Sequence, residues 1–332
     1  MSLTGYAASY GEYAQKAINL AVDEINKANG INGKKIEVIF EDDKTDAKSA
    51  VSAFQKLVNI DKVNAVIGSL WDFTTQPLIP LAVEQNVILI TPTNFRMKDS
   101  FELNKNSFAM LPSFDKVINS VDDYINNQNI NKLAVVRFAS AFGQEITDTL
   151  AGIMNKRGQM SIIDEKYNEI GGNDFRTTIL KLKQQNVDAV FIDMSDTDMI
   201  NFLQRAKELS FKAKIMTHVA VLDLVNNPDI DKKLLDDIAF INWEAQPKEF
   251  SERFFDKYKI NPAKSADRSY DAVYVLAEAF GKNKNGSVAD YIENNEFKTI
   301  NGDIKFTKEH IVENLPVEID IIKEGKILKY EK

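Results

Sequence analysis

The chain has 332 residues, 44% hydrophobic and 27% charged, enough apolar material for two α/β-sized cores beneath an ordinary charged surface. Lysine and arginine number 41 against 49 aspartates and glutamates; a net charge of −8, with no basic cluster longer than Lys34-Lys35, excludes nucleic acid or an anionic membrane as the main partner. Cysteine is absent, which excludes disulfides, thiolate nucleophiles and sulfur-ligated metals, and no apolar run approaches the length of a membrane span.

Read from the N-terminus, Ala14, Ala17, Ile18, Ala21, Val22 and Ile25 form one helical apolar stripe between Gly11 and Asn29-Gly30, with Ser9 placed to cap it. Residues 36–40 alternate as a strand and turn at Glu41-Asp42-Asp43. A helix over 47–59, a strand over 63–68, a helix over 75–85 and a strand over 87–90 follow, ending at Thr91-Pro92. After a break the rhythm restarts. Strands are predicted over 132–136, 160–163, 187–192 and 213–216, alternating with helices over 144–155, 175–185 and 198–209. From about Glu249 the pattern turns helical, over 250–258, 269–280 and 288–294. The tail reads as a hairpin, 316–322 with 326–330, around Lys323-Glu324-Gly325. Repeated βα units predict an α/β fold of mostly parallel sheets covered on both faces.

Catalytic constellations are missing. His218 and His310 lie far apart and outside any HxxxH or HExxH setting, so a structural or surface role is the better reading for each. There is no GxGxxG, no GxxxxGK[ST] and no GxSxG elbow. The acidic pairs Asp42/Asp43, Asp122/Asp123 and Asp236/Asp237 read as solvated turns or helix starts. No enzyme, cofactor or metal is therefore expected.

An ordered set of short segments carries a family resemblance. It comprises Thr4-Gly5 to Ser9-Tyr10-Gly11, Ala21-Val22-Asp23-Glu24-Ile25-Asn26, Gly30-Ile31-Asn32-Gly33-Lys34-Lys35-Ile36, Val66-Ile67-Gly68-Ser69 and Ile90-Thr91-Pro92. Further on stand Ala141-Phe142-Gly143-Gln144, Asn173-Asp174-Phe175, Phe202-Leu203-Gln204-Arg205-Ala206, Tyr270-Asp271-Ala272-Val273-Tyr274 and Gly302-Asp303-Ile304-Lys305-Phe306. In this order, over essentially the whole chain, they resemble the branched-chain amino acid (leucine/isoleucine/valine-type) substrate-binding proteins of ABC transporters. The resemblance implies the type I periplasmic binding fold: two Rossmann-like lobes with parallel sheets, joined by a three-stranded hinge, with the ligand at the strand C-termini. Lobe I would be residues 1–112 and 242–310, lobe II residues 113–241 and 311–332. Family members begin with an apolar strand leading into the segment matching Leu3-Thr4-Gly5. Here that first strand of lobe I is expected to be missing or truncated to Met1-Ser2-Leu3.

The implied role is that of an extracytoplasmic solute receptor of an ABC importer, or a ligand sensor using the same fold. It would be periplasmic or membrane-associated outside the cell, with no signal segment in this chain. Its implied partners are a small-molecule ligand and a membrane permease, not nucleic acid, and it is expected to be a monomer. In α/β units, polar groups at strand C-termini and helix N-termini converge on the ligand. The candidates in such loops are Tyr10, Trp71, Asp72, Thr93, Asn94, Phe95, Phe142, Asp193, Ser195 and His218. By the resemblance, amino acid binders carry serine, threonine and an acid where this sequence has Asp72, Phe95 and Val219. A ligand carboxylate beside Asp72 would meet like charge. Tyr10, Trp71, Phe95 and Phe142 suit instead a neutral or cationic ligand of aromatic or amide character, held by stacking and cation–π attraction. Arg96 or Arg137 could still offer a counter-charge to an anion, so the ligand's charge stays open.

Overall fold

The computed structural model describes residues 1–5, 7–92, 105–112, 114–158, 162–243, 247–263, 265–284 and 286–331. The chain divides into two units, Met1–Phe114 with Glu244–Pro316 and Asp115–Trp243 with Val317–Lys332, so it crosses between them three times. Residues 311–316, which the resemblance puts in lobe II, fall in the first unit. Ile311 bridges Ala109 there, and Val312 bridges Phe306.

The first unit opens with α1 (Ala8–Lys27). It begins earlier than its apolar stripe predicts, so Ser9 lies inside the helix, and the N-cap is Ala7 with no side-chain cap. Gly11 allows this. A Cβ there would sit 2.0 Å from the Ser2 carbonyl oxygen, so only glycine lets residues 1–3 lie against the helix. Next comes α2 (Ala47–Asn59), whose N-cap Asp46 accepts from the Ser49 N–H at 2.8 Å. Then follow β1 (Ala65–Ile67), α3 (Asp72–Thr75), α4 (Leu78–Glu84), β2 (Ile88–Thr91) and β3 (Ser107–Ala109). One helix was predicted over 75–85. The chain breaks at Gln76-Pro77 because Pro77 has no N–H to continue α3, whereas Pro80 sits in the first turn of α4, where no intrahelical donor is needed. The sheet is parallel, in the order β1-β2-β3. The strand predicted over 36–40 does not form: its residues have the alternation but no neighbouring ladder, and residues 1–3 supply none.

The second unit contributes α5 (Phe114–Asn119), α6 (Val121–Asn127), β4 (Leu133–Phe138), α7 (Ala141–Lys156), β5 (Ile163–Tyr167) and α8 (Arg176–Gln184). It continues with β6 (Ala189–Asp193), α9 (Asp196–Glu208), β7 (Lys214–His218), α10 (Val221–Asn226) and β8 (Ala239–Asn242). The strand predicted over 160–163 lies instead at 163–167, in register with Ala134–Phe138 of β4. All five residues of β6 are buried, as a strand covered on both faces must be.

The chain then returns to the first unit as α11 (Lys248–Tyr258), α12 (Ala266–Lys282), α13 (Val288–Asn294) and the hairpin β9 (Glu296–Thr299)–β10 (Gly302–Lys305). Ala17, Ile18 and Ala21 of α1 share one buried cluster with Phe250, Phe254, Tyr270 and Val273 of this return. The tail, β11 (Glu318–Lys323) and β12 (Lys326–Lys329), joins the second sheet antiparallel to β8. That sheet runs β12-β11-β8-β7-β6-β4-β5. β4 has β5 on one flank and β6 on the other, so the strand order reverses between β4 and β6. In a doubly wound sheet, ligands bind at the carboxyl edge at that reversal.

Candidate functional site

In the first unit β1 ends in Gly68-Ser69-Leu70-Trp71. A buried polar network fixes this turn. The Ser69 hydroxyl donates to the Asp43 carboxylate, and Thr74 Oγ1 lies 2.8 Å from Ser69 Oγ and 2.9 Å from the Trp71 carbonyl. The Thr91 hydroxyl, from the end of β2, donates to the Ser69 carbonyl at 2.8 Å. The pinned turn sets Trp71 between two rings. Tyr10 of α1 lies at 5.2 Å and 58°, and Phe73 at 6.4 Å and 36°. Asp72 opens α3, half-buried, and its carboxylate accepts from the Phe73 N–H at 2.7 Å. Tyr10, Trp71 and Asp72 are thus brought together, whereas Thr93, Asn94, Phe95 and Arg96 lie outside the described residues.

The second unit builds its cluster at the strand-order reversal. Ser140, just after β4, caps α7 by accepting from the Gly143 N–H at 2.9 Å, which sets Phe142 in the first turn. Phe142 meets the His218 ring edge-on at 5.7 Å, and Trp243 stacks on that ring at 5.8 Å and 25°. His218 Nε2 lies 3.0 Å from Asp193 Oδ1, and His218 Nδ1 is 3.3 Å from the Ala220 N–H. An Nδ1 that accepts leaves the ring proton on Nε2, donated to Asp193. Both ring nitrogens are engaged, so the imidazole is held in one orientation among its neighbours. Gly143 admits Asp193 to this arrangement: a Cβ there would sit 2.8 Å from both Asp193 Oδ2 and the Phe138 carbonyl oxygen. Behind Asp193, the Tyr167 hydroxyl donates to its main-chain carbonyl at 3.4 Å. Burial, aided by the Asp198 and Asp193 charges, pushes the Tyr167 phenol far above its ordinary pKa, so it stays a neutral donor.

Ser195 performs a different task. It caps α9 by accepting from the Asp198 N–H at 3.4 Å and donates to Asp198 Oδ2 at 2.9 Å, while Asp198 also accepts from the Gly171 N–H and Asn173 Nδ2, tying down the 171–173 turn. Arg137 is buried and already neutralised. Its guanidinium grips Asp164 with two bonds of 2.9 and 3.0 Å and donates to Gln144 Oε1 at 2.5 Å. Trp243 and the Ser69–Asp43 pair escaped the sequence reading. Trp243 follows the last residue of β8, so the rule that selected the other strand-end residues would have found it had β8 been recognised. Among the described residues no group of three or more His, Asp and Glu could hold a metal, and no helix is long and apolar enough to cross a membrane.

A family model described as periplasmic binding protein matches residues 1–315. The leucine-, isoleucine-, valine-, threonine- and alanine-binding protein of Pseudomonas aeruginosa is 27% identical over 326 residues, covering 94% of this chain and 85% of that protein. Two solved structures share the fold. A branched-chain amino acid transporter substrate-binding protein of Streptococcus pneumoniae, in complex with isoleucine, has a TM-score of 0.84 at 24% identity, covering 98% of this chain and 95% of its own. A solute-binding protein of an ABC transporter from Rhodopseudomonas palustris, in complex with 3,4-dihydroxybenzoic acid, has a TM-score of 0.84 at 20% identity, covering 100% and 94%. A family match over nearly the whole chain, on two α/β units linked by three crossings, shows that the chain belongs to the periplasmic binding proteins, with the type I fold.

Proposed function

We propose that the protein is the extracytoplasmic solute-binding receptor of an ABC importer, and that its two units are lobes closing about the three crossings on one small molecule. One observation carries this reading: each of the two tryptophans of the chain stands in an aromatic cluster beyond the carboxyl end of a parallel strand, one in each unit. Trp71 with Tyr10 and Asp72 forms the first half of the binding surface; Phe142, His218, Trp243 and Asp193 form the second. If each lobe supplies half the contacts, ligand favours the closed state by the difference in affinity between closed and open forms. A membrane permease then reads closure.

The ligand is an amino-acid-like, amide or aromatic molecule, neutral or cationic. Flat aromatic walls favour a planar or apolar group. The carboxylates of Asp72 and Asp193 disfavour an anion, and Arg137 is occupied by Asp164. Relatives named for binding leucine, isoleucine, valine, threonine and alanine, and one in complex with 3,4-dihydroxybenzoic acid, support the amino-acid-like and aromatic classes, while the neutral or cationic charge rests on Asp72 and Asp193 of this chain. A thermal-shift screen of amino acids, amides, aromatic acids and amines, followed by calorimetric titration of the hits, tests the reading, since a ligand bound to the folded state alone raises the melting point. A hit should also alter tryptophan emission. A ligand that titrates equally well against the native chain and against Trp71→Ala, Asp72→Ala and Phe142→Ala would refute this site.

A further inference from the structure

Four Asn-Gly pairs occur in the chain, at 29, 32, 285 and 301. Such a pair is open to a reaction of its own: the glycine nitrogen attacks the asparagine side-chain carbon, unhindered by a Cβ. Three of the pairs lie in described residues, and their surroundings differ. At Asn29 the Gly30 N–H is engaged by the Ile25 carbonyl at 2.9 Å, closing the end of α1. The Asn32 amide, in an exposed turn, donates to the Gly281 carbonyl at 3.1 Å. Among these three, Asn301 meets an acid: its Nδ2 donates to Asp271 Oδ2 at 2.8 Å.

That contact is built into the first unit. The β9–β10 hairpin turns through Ile300-Asn301 and resumes its ladder at Gly302, whose φ of +100° suits glycine. Phe297 and Ile304 of the hairpin share a buried cluster with Ala272, Val275 and Leu276 of α12, which holds the turn against the helix. Asp271 also accepts from the Ile300 N–H at 3.1 Å, and the Thr299 hydroxyl lies beside it. Its charged neighbour is Asp267, one turn earlier on α12 and itself 3.7 Å from Arg268. Glu24 of α1 and Arg253 of α11 meet α12 at Tyr270 instead, and Glu293 of α13 faces His310 at 3.8 Å.

Burial raises the Asp271 carboxyl to about 7, so near neutral pH much of the population carries the proton. Asn301 Oδ1 is buried without a hydrogen-bond partner among the described residues, and a half turn of the amide exchanges it with Nδ2. The protonated acid then donates to Oδ1 and leaves Cγ electron-poor. We propose that Asn301 is a self-modification site, where the Gly302 nitrogen closes on Cγ with Asp271 as the acid. The N–Cγ bond forms and the Cγ–Nδ2 bond breaks. Nδ2 leaves as ammonia with the proton that Gly302 gave up, and Asp271 ends with its own. The product is a five-membered imide. Gly302 is exposed, and a Cβ there would meet nothing within 4 Å, so solvent water reaches the ring and opens it to aspartate or isoaspartate. The new carboxylate stands where Asp271 had a donor, so like charges meet in a buried place.

The test is peptide mapping by mass spectrometry of the folded protein aged between pH 5.5 and pH 9, with Asn32 as internal reference. Replacement of the side-chain NH2 by OH, with isoaspartate scored by enzymatic methylation, gives each rate. Asn32 should react faster as pH rises, since hydroxide removes the glycine proton. Asn301 should react fastest below about pH 7 and slow above it, as Asp271 loses its proton. Asp271→Asn should slow Asn301 by about 100-fold at pH 6, the low end of what a positioned acid contributes, and leave Asn32 unchanged. Melting curves check the fold of this variant, and the pH slope of the native chain decides the matter whether or not it folds. In urea the two asparagines should react alike. Equal pH slopes at 301 and 32 in the folded protein would overturn the proposal, as would an Asn301 rate that Asp271→Asn leaves unchanged. So would an Asn301 that stays intact while Asn32 is consumed.

Discussion

Asp271 gives the sharpest quantitative expectation for the first unit. It lies on α12 with 1% of its surface exposed, accepting from the Ile300 N–H at 3.1 Å and from Asn301 Nδ2 at 2.8 Å. Burial pushes its pKa up from 3.8 to about 7, against the pull of those two bonds and helped by the neighbouring Asp267 charge. An acid with a raised pKa in the folded state holds a proton that the unfolded chain has already released. Stability from this group is therefore highest below about pH 4, falls across the window to about pH 7, and stays low above it. The difference between 3.8 and about 7, at about 1.4 kcal/mol per pH unit, makes the full loss roughly 4 kcal/mol. Asp271→Asn removes this dependence. It keeps an oxygen for the Ile300 N–H and brings a donor to Asn301, whose buried Oδ1 has no hydrogen-bond partner among the described residues. Urea unfolding in a Trp243→Phe background, where Trp71 reports on the first unit alone, measures the effect at pH 5 and pH 8.5. The advantage of Asn over Asp should grow by a few kcal/mol between the two. A constant difference, or one that shrinks with rising pH, would refute the burial argument.

Four further outcomes follow from the two clusters. Trp71→Ala and Asp72→Ala should each weaken ligand binding, the tryptophan by about 30-fold if it acts as a buried aromatic anchor, with circular dichroism unchanged. Trp71→Phe and Trp243→Phe should each leave a single emitter that responds to ligand; silence of one would remove its lobe from the site. His218→Ala takes away the ring between Phe142 and Trp243, so Trp243 emission should shift to the red and stability should fall by about 1 kcal/mol. Gly143→Ala sets a methyl against the Phe138 carbonyl and the Asp193 carboxylate, and should cost about 1–3 kcal/mol by chemical denaturation of the second unit.

Where a segment carries its own partner nearby in sequence, the fold was legible. The helices over 47–59, 175–185 and 288–294 and the tail hairpin lie within a few residues of their predicted bounds, because period and turn chemistry are local properties. Residues 36–40 show the limit of that reading. Their alternation is genuine, but a strand exists only where a second backbone completes the ladder, and none of the described residues does so. Ser9 fails as a cap for a related reason: Gly11, through its contact with Ser2, lets α1 start a turn earlier than the stripe implies.

The site was legible as a set of loops and illegible as a set of contacts. Strand ends mark Trp71, Asp193 and His218 because parallel sheets deliver polar groups to their carboxyl edges whatever the side chains are. Which side chains then meet depends on registers that composition does not encode. Arg137 and Asp193 are matched residues on β4 and β6, yet the guanidinium turns to Asp164 on β5 and the carboxylate to His218 on β7. That division of partners leaves the second cluster aromatic and acidic, where a free Arg137 would have made it basic. The sign of the charge at the proposed ligand surface therefore follows from one choice of partner, and Asp164→Asn, which frees the guanidinium, should move the ligand preference toward anions.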